Sequence, residues 1–216
     1  MKRLLWMFLV LISLSASGQG IRFTVIADPQ LSWLSADASN VESNGNHLGI
    51  NVGLSVDDFF APNYALSTGI TIGNTGGELK YSNPLPVSVH GEKDTLPANT
   101  SLKYKLQYIT VPLGLKLKTN EIGYTTFFAH LGLESGLNIK ATGDASQGDL
   151  ENENISDDIA LFRLGYYIGG GIEYSLGGSS AIVAGLTYSN GFTDVTKDSD
   201  NKATLSYFAI RLGVLF

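Results

Sequence analysis

His47-Leu48-Gly49-Ile50-Asn51-Val52-Gly53-Leu54-Ser55-Val56 alternates strictly between a large apolar side chain and a small or polar one. Successive side chains of a strand point to opposite faces, so this stretch reads as a strand with one greasy face and one small or polar face. The pattern continues in both directions. Over residues 22–34, Phe23, Val25, Ala27, Leu31 and Trp33 oppose Arg22, Thr24, Asp28, Gln30 and Ser32, and in a third segment Tyr64, Leu66, Ile70 and Ile72 oppose Ala65, Ser67, Gly69 and Gly73. Five more alternating segments occupy 102–118, 124–140, 159–174, 181–189 and 205–216, making eight in all. The connections at 35–46, 83–101, 141–158 and 190–204 are long, and those at 57–63, 119–123 and 175–180 are short.

Which face turns inward decides the architecture. Asp28, Asn51, His130, Glu134, Asn138, Arg163, Glu173 and Arg211 share parity with many of the glycines, whereas the opposite parity is Leu, Ile, Val, Phe and Tyr. A soluble sandwich buries its apolar face between two sheets and gives no reason for alternating loop lengths. A lipocalin-like barrel would be apolar inside. A membrane barrel is apolar outside and polar inside, and closure leaves no backbone group unpaired in lipid. The expected fold is therefore all-β: an eight-stranded antiparallel transmembrane β-barrel with short periplasmic turns and long extracellular loops.

The flanking sequence fits export. Lys2 and Arg3 precede an apolar run over residues 4–12 that is too short to span a bilayer as a helix, and small residues follow up to Gly18. We expect a secretory signal at 1–18, cleavage before Gln19, and a single barrel domain at 19–216 in the outer membrane of a Gram-negative cell. Counts of 14 Lys+Arg and 20 Asp+Glu give −6, and losing Lys2 and Arg3 leaves 12 against 20, or −8, which disfavours nucleic acid as a partner. The absence of cysteine excludes disulfides, thiolate metal sites, a cysteine nucleophile and a lipoprotein anchor. No cofactor is expected.

Aromatic residues near segment ends suggest two interfacial girdles: Phe59, Phe60, Tyr64, Tyr124, Phe127, Tyr174 and Phe216 at the short-turn side, and Trp33, Tyr81 and Tyr104 at the long-loop side. The chain ends on Phe208, Ile210, Leu212, Val214 and Phe216 at alternate positions, which resembles the C-terminal signal read by the barrel assembly machinery. The segment Tyr108-Ile109-Thr110-Val111-Pro112-Leu113-Gly114-Leu115-Lys116 resembles the Tyr-x-x-x-Pro-Leu fourth strand of the PorT-like outer-membrane barrels of Bacteroidetes. Pro29-Gln30-Leu31-Ser32-Trp33, Tyr64-Ala65-Leu66-Ser67-Thr68-Gly69 and Gly76-Gly77 are similar to other stretches of that family. The resemblance implies the fold and says little about the task.

Some eight-stranded barrels act on lipid A or phospholipid, which requires a His and a Ser on one face. Two places after His47, His90 and His130 stand Gly49, Glu92 and Gly132, so no His-x-Ser pair exists, and His130 and Ser135 have opposite parity. His130 reads as a packed interior residue, and a lipid-modifying enzyme is the alternative to a structural, binding or accessory role. The acidic stretch holding Asp144, Asp149, Glu151, Glu153, Asp157 and Asp158, with Asp198-Ser199-Asp200-Asn201 further on, reads as solvated loop. Its weaker reading is a Ca²⁺ bridge to lipopolysaccharide phosphates, because Lys202 occupies a ligand position of the calcium-loop pattern. Expected partners are outer-membrane lipid, lipopolysaccharide, the assembly machinery and an unidentified surface protein.

Two structural expectations follow from parity. Leu102, Tyr104, Leu106 and Tyr108 have one parity and Ile109, Val111, Leu113, Leu115 and Leu117 the other. Either a bulge lies near Tyr108 and Ile109, or the upper half of that strand leaves the lipid and buries its apolar side elsewhere. Heights counted from the short-turn side place Glu134 beside Arg163 and Asp28 beside Arg211, two pairs that would plug an interior already narrow for eight strands.

Overall fold

The computed structural model describes residues 20–216 apart from 90–91, 149 and 198–200. The proposed signal at 1–18, His90, Asp149 and the Asp198–Asp200 part of the calcium-like stretch lie outside the described residues. The strands are β1 (Ile21–Ala36), β2 (Val41–Ala61), β3 (Tyr64–Tyr81), β4 (Leu85–Val89), β5 (Glu92–Leu96), β6 (Thr100–Lys118), β7 (Thr125–Ala145), β8 (Glu153–Asn154), β9 (Phe162–Gly177), β10 (Ser180–Gly191) and β11 (Ala203–Leu215). Eight of them form a closed antiparallel ring in the order β6-β3-β2-β1-β11-β10-β9-β7, with β7 returning to β6. The closure between first and last strands runs from Thr24↔Leu215 to Ala36↔Ala203. β4 and β5 form a separate hairpin between β3 and β6, and β8 adds a short edge to β7.

The turns differ at the two ends. β9 and β10 meet at a tight turn where Gly177 and Gly178 take φ of 97° and 64°, a region in which a Cβ is costly. The connection read from sequence as 35–46 is mostly strand, because β1 and β2 continue outward and only residues 37–40 lie outside them.

Outside, apolar residues run from Tyr64 to Ile72 on β3 and from Ile109 to Leu117 on β6, nine residues each. At the usual tilt of about 40°, nine residues rise roughly 20 to 25 Å, the height of a barrel's lipid-facing band. β3 (18 residues) and β6 (19 residues) thus have about half their length beyond that band. The two 21-residue strands, β2 and β7, project with them.

This projection settles the parity change in β6. Odd residues face outward along the whole strand, so Leu102, Tyr104, Leu106 and Tyr108 point inward, each 4% exposed or less. Of the two expected arrangements, the upper half burying its apolar side elsewhere is the one observed. The extra residue sits in the neighbour: Gln107 pairs with Lys140 and Tyr108 with Asn138, which leaves Ile139 of β7 unpaired. Inward parity in β7 accordingly changes from even, ending at Asn138, to odd, with Ala141 and Gly143 buried.

A second irregularity separates β2 from β3. Their ladder stops at Asn46↔Gly77 and resumes at Asn51↔Gly73. In the gap, side chains of β1 satisfy the backbone: Gln30 Nε2 donates to the Asn74 carbonyl (2.9 Å), and Ser32 Oγ accepts from the Gly76 N–H (2.9 Å) while donating to the His47 carbonyl (3.2 Å). β3 leans there against β1, and a Cβ on Gly77 would lie 2.6 Å from the Leu34 nitrogen. Gly77→Ala is therefore expected to cost about 1 to 3 kcal/mol through overpacking, measurable by urea unfolding in lipid vesicles.

Candidate functional site

The interior is built in three polar layers beneath an apolar one. Nearest the short turns, Lys116 of β6 lies 2.6 Å from both Asp57 Oδ2 and Glu173 Oε1. It donates a hydrogen bond to the aspartate, whereas the glutamate contact is ionic without hydrogen-bond alignment. Ser67 Oγ donates to Asp57 Oδ1 (2.6 Å), and the ammonium stands 5.0 Å from the Phe128 ring centre. Below, Arg22 and Lys118 cover the Phe59 ring at 5.6 and 4.6 Å. Phe59, expected in the girdle, is buried inside this layer, because its odd parity in β2 is inward.

In the middle layer, Arg211 Nε and Nη2 each donate to Asp28 Oδ2 at 3.3 Å, and Oδ1 accepts the Leu212 N–H. Arg211 Nη1 is 3.1 Å from His130 Nδ1, and His130 Nε2 is 3.1 Å from Thr187 Oγ1. A guanidinium can only donate, so Nδ1 is the acceptor and the ring proton sits on Nε2. The hydroxyl beside His130 is a threonine, and both side chains are sealed in the lumen, where a lipid ester has no access.

In the third layer, Glu134 Oε1 accepts from Arg163 Nη2 and Ser189 Oγ, and Oε2 accepts from Tyr207 Oη, all at 2.6 Å. The guanidinium carbon lies 5.6 Å from the Tyr108 ring centre, while Arg163 Nε and Nη1 have no hydrogen bond among the described residues. Glu134 and Arg163 are both buried, so the pair rests on mutual neutralisation. Cavities of about 30 and 20 Å³ remain beside these layers, each room for about one water.

Sequence parity placed Asp28, Glu134, Arg163 and Arg211 in the lumen, and the structure brings them together in those two pairs. It missed Lys116, although the outward odd parity of Ile109 to Leu117 already implied an inward Lys116. Asn51 and Asn138 are half-buried, and Asn138 Nδ2 bonds the carbonyls of Gln107 and Lys140 around the bulge. Phe208, Ile210, Leu212, Val214 and Phe216 all lie on the lipid-facing side of the closing strand.

Above the third layer the interior turns apolar. Leu34, Leu79, Tyr81, Leu102, Tyr104 and Leu106 pack with Leu85, Val87 and Leu96 of the β4–β5 hairpin and with Leu150, Ile155 and Ile159 of the segment after β7. Tyr81 and Tyr104, expected in the outer girdle, are inside this lid with their hydroxyls 2.6 Å apart. Their large apolar rings signalled lipid, but at that height the apolar environment is the inside of the protein. The outer girdle is instead a run of exterior rings, Trp33, Phe208, Tyr188, Tyr166 and Phe192, with neighbouring centres 4.9 to 6.4 Å apart. Between the hairpin and the segments around Asp158 and Lys197 lies a cleft of about 320 Å³ lined by Pro86, Ser88, Tyr81, Tyr104 and Ile155. Among the described residues no three His, Asp or Glu side chains converge to hold a metal ion.

A closed ring of eight strands, apolar outside and ion-paired inside, defines a small integral outer-membrane barrel. The chain belongs to the outer membrane protein β-barrel domain family, whose model matches residues 12–197. Among solved structures it is similar to Neisserial surface protein A, at 14% identity and a TM-score of 0.50, covering 91% of this chain and 98% of that one. It is also similar to OprG from Pseudomonas aeruginosa, at 11% identity and a TM-score of 0.46, covering 93% and 97%. No curated protein matches the chain in sequence.

Proposed function

We propose that this protein is a closed, non-catalytic barrel whose working surface is its long-loop end, where it holds a partner at the cell surface. The observation that carries this reading is the apolar lid. A barrel used only as a membrane plug needs no strands beyond the bilayer, yet β2, β3, β6 and β7 continue upward, acquire a core of their own and support the 320 Å³ cleft. The ion-paired layers beneath leave no room for solute passage. In this reading the short turns lie in the periplasm and the long loops outside the cell, the leader at 1–18 is removed, and Phe208 to Phe216 serve as the signal for the assembly machinery. The Tyr108 to Lys116 motif supports a place in the PorT-like branch of the family.

The absence of cysteine makes a direct test available. Thr95→Cys, on β5, is expected to react with a membrane-impermeant maleimide in intact cells, and Gly178→Cys only after lysis; the opposite pattern overturns the orientation. The purified protein in planar bilayers is expected to show no steady conductance. A photo-crosslinker at Ser88 in native membranes is expected to capture one defined surface protein, whereas one at Gly178 is not. Stable ion conduction, or no Ser88 adduct, would remove the proposed role.

A further inference from the structure

The outer rim of the barrel is asymmetric. On the half formed by β9, β10, β11 and β1, the apolar band ends in the ring stack from Phe192 to Trp33. On the other half, the residues just above Ile72, Ile109 and Ile139 are Asn74, Gln107 and Lys140, with Lys105 and Lys103 next along the outward face of β6. Trp and Tyr are the ordinary side chains at headgroup height. Lysines in their place put fixed positive charge beside the hydrocarbon boundary.

Lys105 and Lys140 sit in a built concavity. Where the β2–β3 ladder is interrupted, Gly49 packs directly on Asn74, a Cβ there falling 1.9 Å from the Asn74 carbonyl oxygen, and a groove of about 520 Å³ opens beside them on the outer wall. Its floor and sides carry Lys105, Lys140, Asn74, Gln107 and Asn152, and its lower edge carries Leu48 and Ile50, both exposed. Lys105 is fixed in place by Asp144, 2.5 Å away, whose other oxygen accepts the Asn152 N–H (2.7 Å). Lys140 has no partner for its ammonium among the described residues. Lys103, next along β6, stands between its cross-strand partners Glu78 and Asp144, so among the described residues Lys140 is the cation of this face without a paired acid.

We propose that this groove is a headgroup site for a phosphorylated lipid of the outer leaflet. Lys105 and Lys140 hold the phosphate as point charges, the amides of Asn74, Gln107 and Asn152 meet the headgroup hydroxyls, and Leu48 and Ile50 lie along the first carbons of the acyl chains. The site rests on the orientation proposed above for its leaflet, but its chemistry can be tested apart from that orientation.

The test is native mass spectrometry of the folded, detergent-purified protein with three probes: monophosphoryl lipid A, its fully dephosphorylated counterpart and inorganic phosphate. The wild type is expected to retain the monophosphoryl lipid in preference to the dephosphorylated one. Lys105→Gln with Lys140→Gln is expected to weaken that retention about 25-fold, roughly fivefold per lysine at a membrane surface. Lys80→Gln with Lys202→Gln, which removes two lysines outside the groove, is expected to leave it unchanged. Equal retention of the two lipids, equal loss in both double variants, or occupancy by inorganic phosphate with no preference for the lipid would overturn the proposal. Folding of each variant is checked by its far-ultraviolet circular dichroism, and Lys140→Gln alone provides a second, milder measurement.

Discussion

Glu134→Ala is expected to lower the unfolding free energy of the barrel by about 3 to 5 kcal/mol, among the largest effects of any single substitution in the chain. Glu134 accepts from Arg163, Ser189 and Tyr207, so its loss leaves a buried guanidinium with no counter-charge and two hydroxyls with no acceptor. The cost is that of an uncompensated charge rather than the net worth of the pair, and this distinction can be measured. Glu134→Leu combined with Arg163→Met removes both charges and is expected to recover most of the loss, because replacing a buried pair by apolar groups is often neutral or stabilising. Urea unfolding of the wild type, Glu134→Leu, Arg163→Met and the double variant in lipid vesicles, followed by Trp33 fluorescence, completes the cycle. Additive losses in the double variant would show that the pair does not act as a unit.

Lys116→Met is the second large effect, expected at a similar 3 to 5 kcal/mol, but for the opposite reason. It strands two carboxylates, Asp57 and Glu173, that share one ammonium. Adding Asp57→Asn and Glu173→Gln to Lys116→Met is expected to restore much of the stability, whereas adding Glu134→Gln, in a different layer, is not. Equal rescue by Glu134→Gln would mean that the layers are electrostatically continuous rather than separate. The same vesicle unfolding assay reads both arms.

Much of this architecture was legible because the lipid-facing band imposes one rule on every strand it touches. Within that band, large apolar means outward, and the period of two then assigns the other face; Asp28, Glu134, Arg163 and Arg211 are found by that rule and by counting heights. The rule fails at Tyr81, Tyr104, Leu102 and Leu106 because above the bilayer the apolar phase is the interior. It fails at Phe59 because an aromatic near a strand end is consistent with a girdle or with a cation's partner, and only parity separates the two. A bulge in β6 was one of two arrangements its pattern allowed; β6 keeps one parity throughout and changes only what its inward face meets, while the extra residue lies across the ladder at Ile139 of β7, where the sequence pattern of β6 carries no trace of it. The groove beside the β2–β3 interruption had no sequence signal of its own: the period of two runs unbroken from His47 to Val56 although the ladder to β3 is interrupted over residues 47–50.

The lysines on the outer face of β6 and β7 also fix how deep the molecule rides. An apolar band can slide a few ångströms along a bilayer at modest cost by tilting or thinning it. Moving Lys103, Lys105 and Lys140 down toward the midplane costs about 2 to 4 kcal/mol for each at full depth. On the opposite side the stack of Trp33, Tyr166 and Tyr188 prefers the headgroup region. Slippage that draws the lid end into the bilayer is therefore resisted by a steep electrostatic wall on one flank and a soft amphipathic well on the other. A barrel held so unequally has a preferred lean, which sets the direction in which its cleft faces along the membrane.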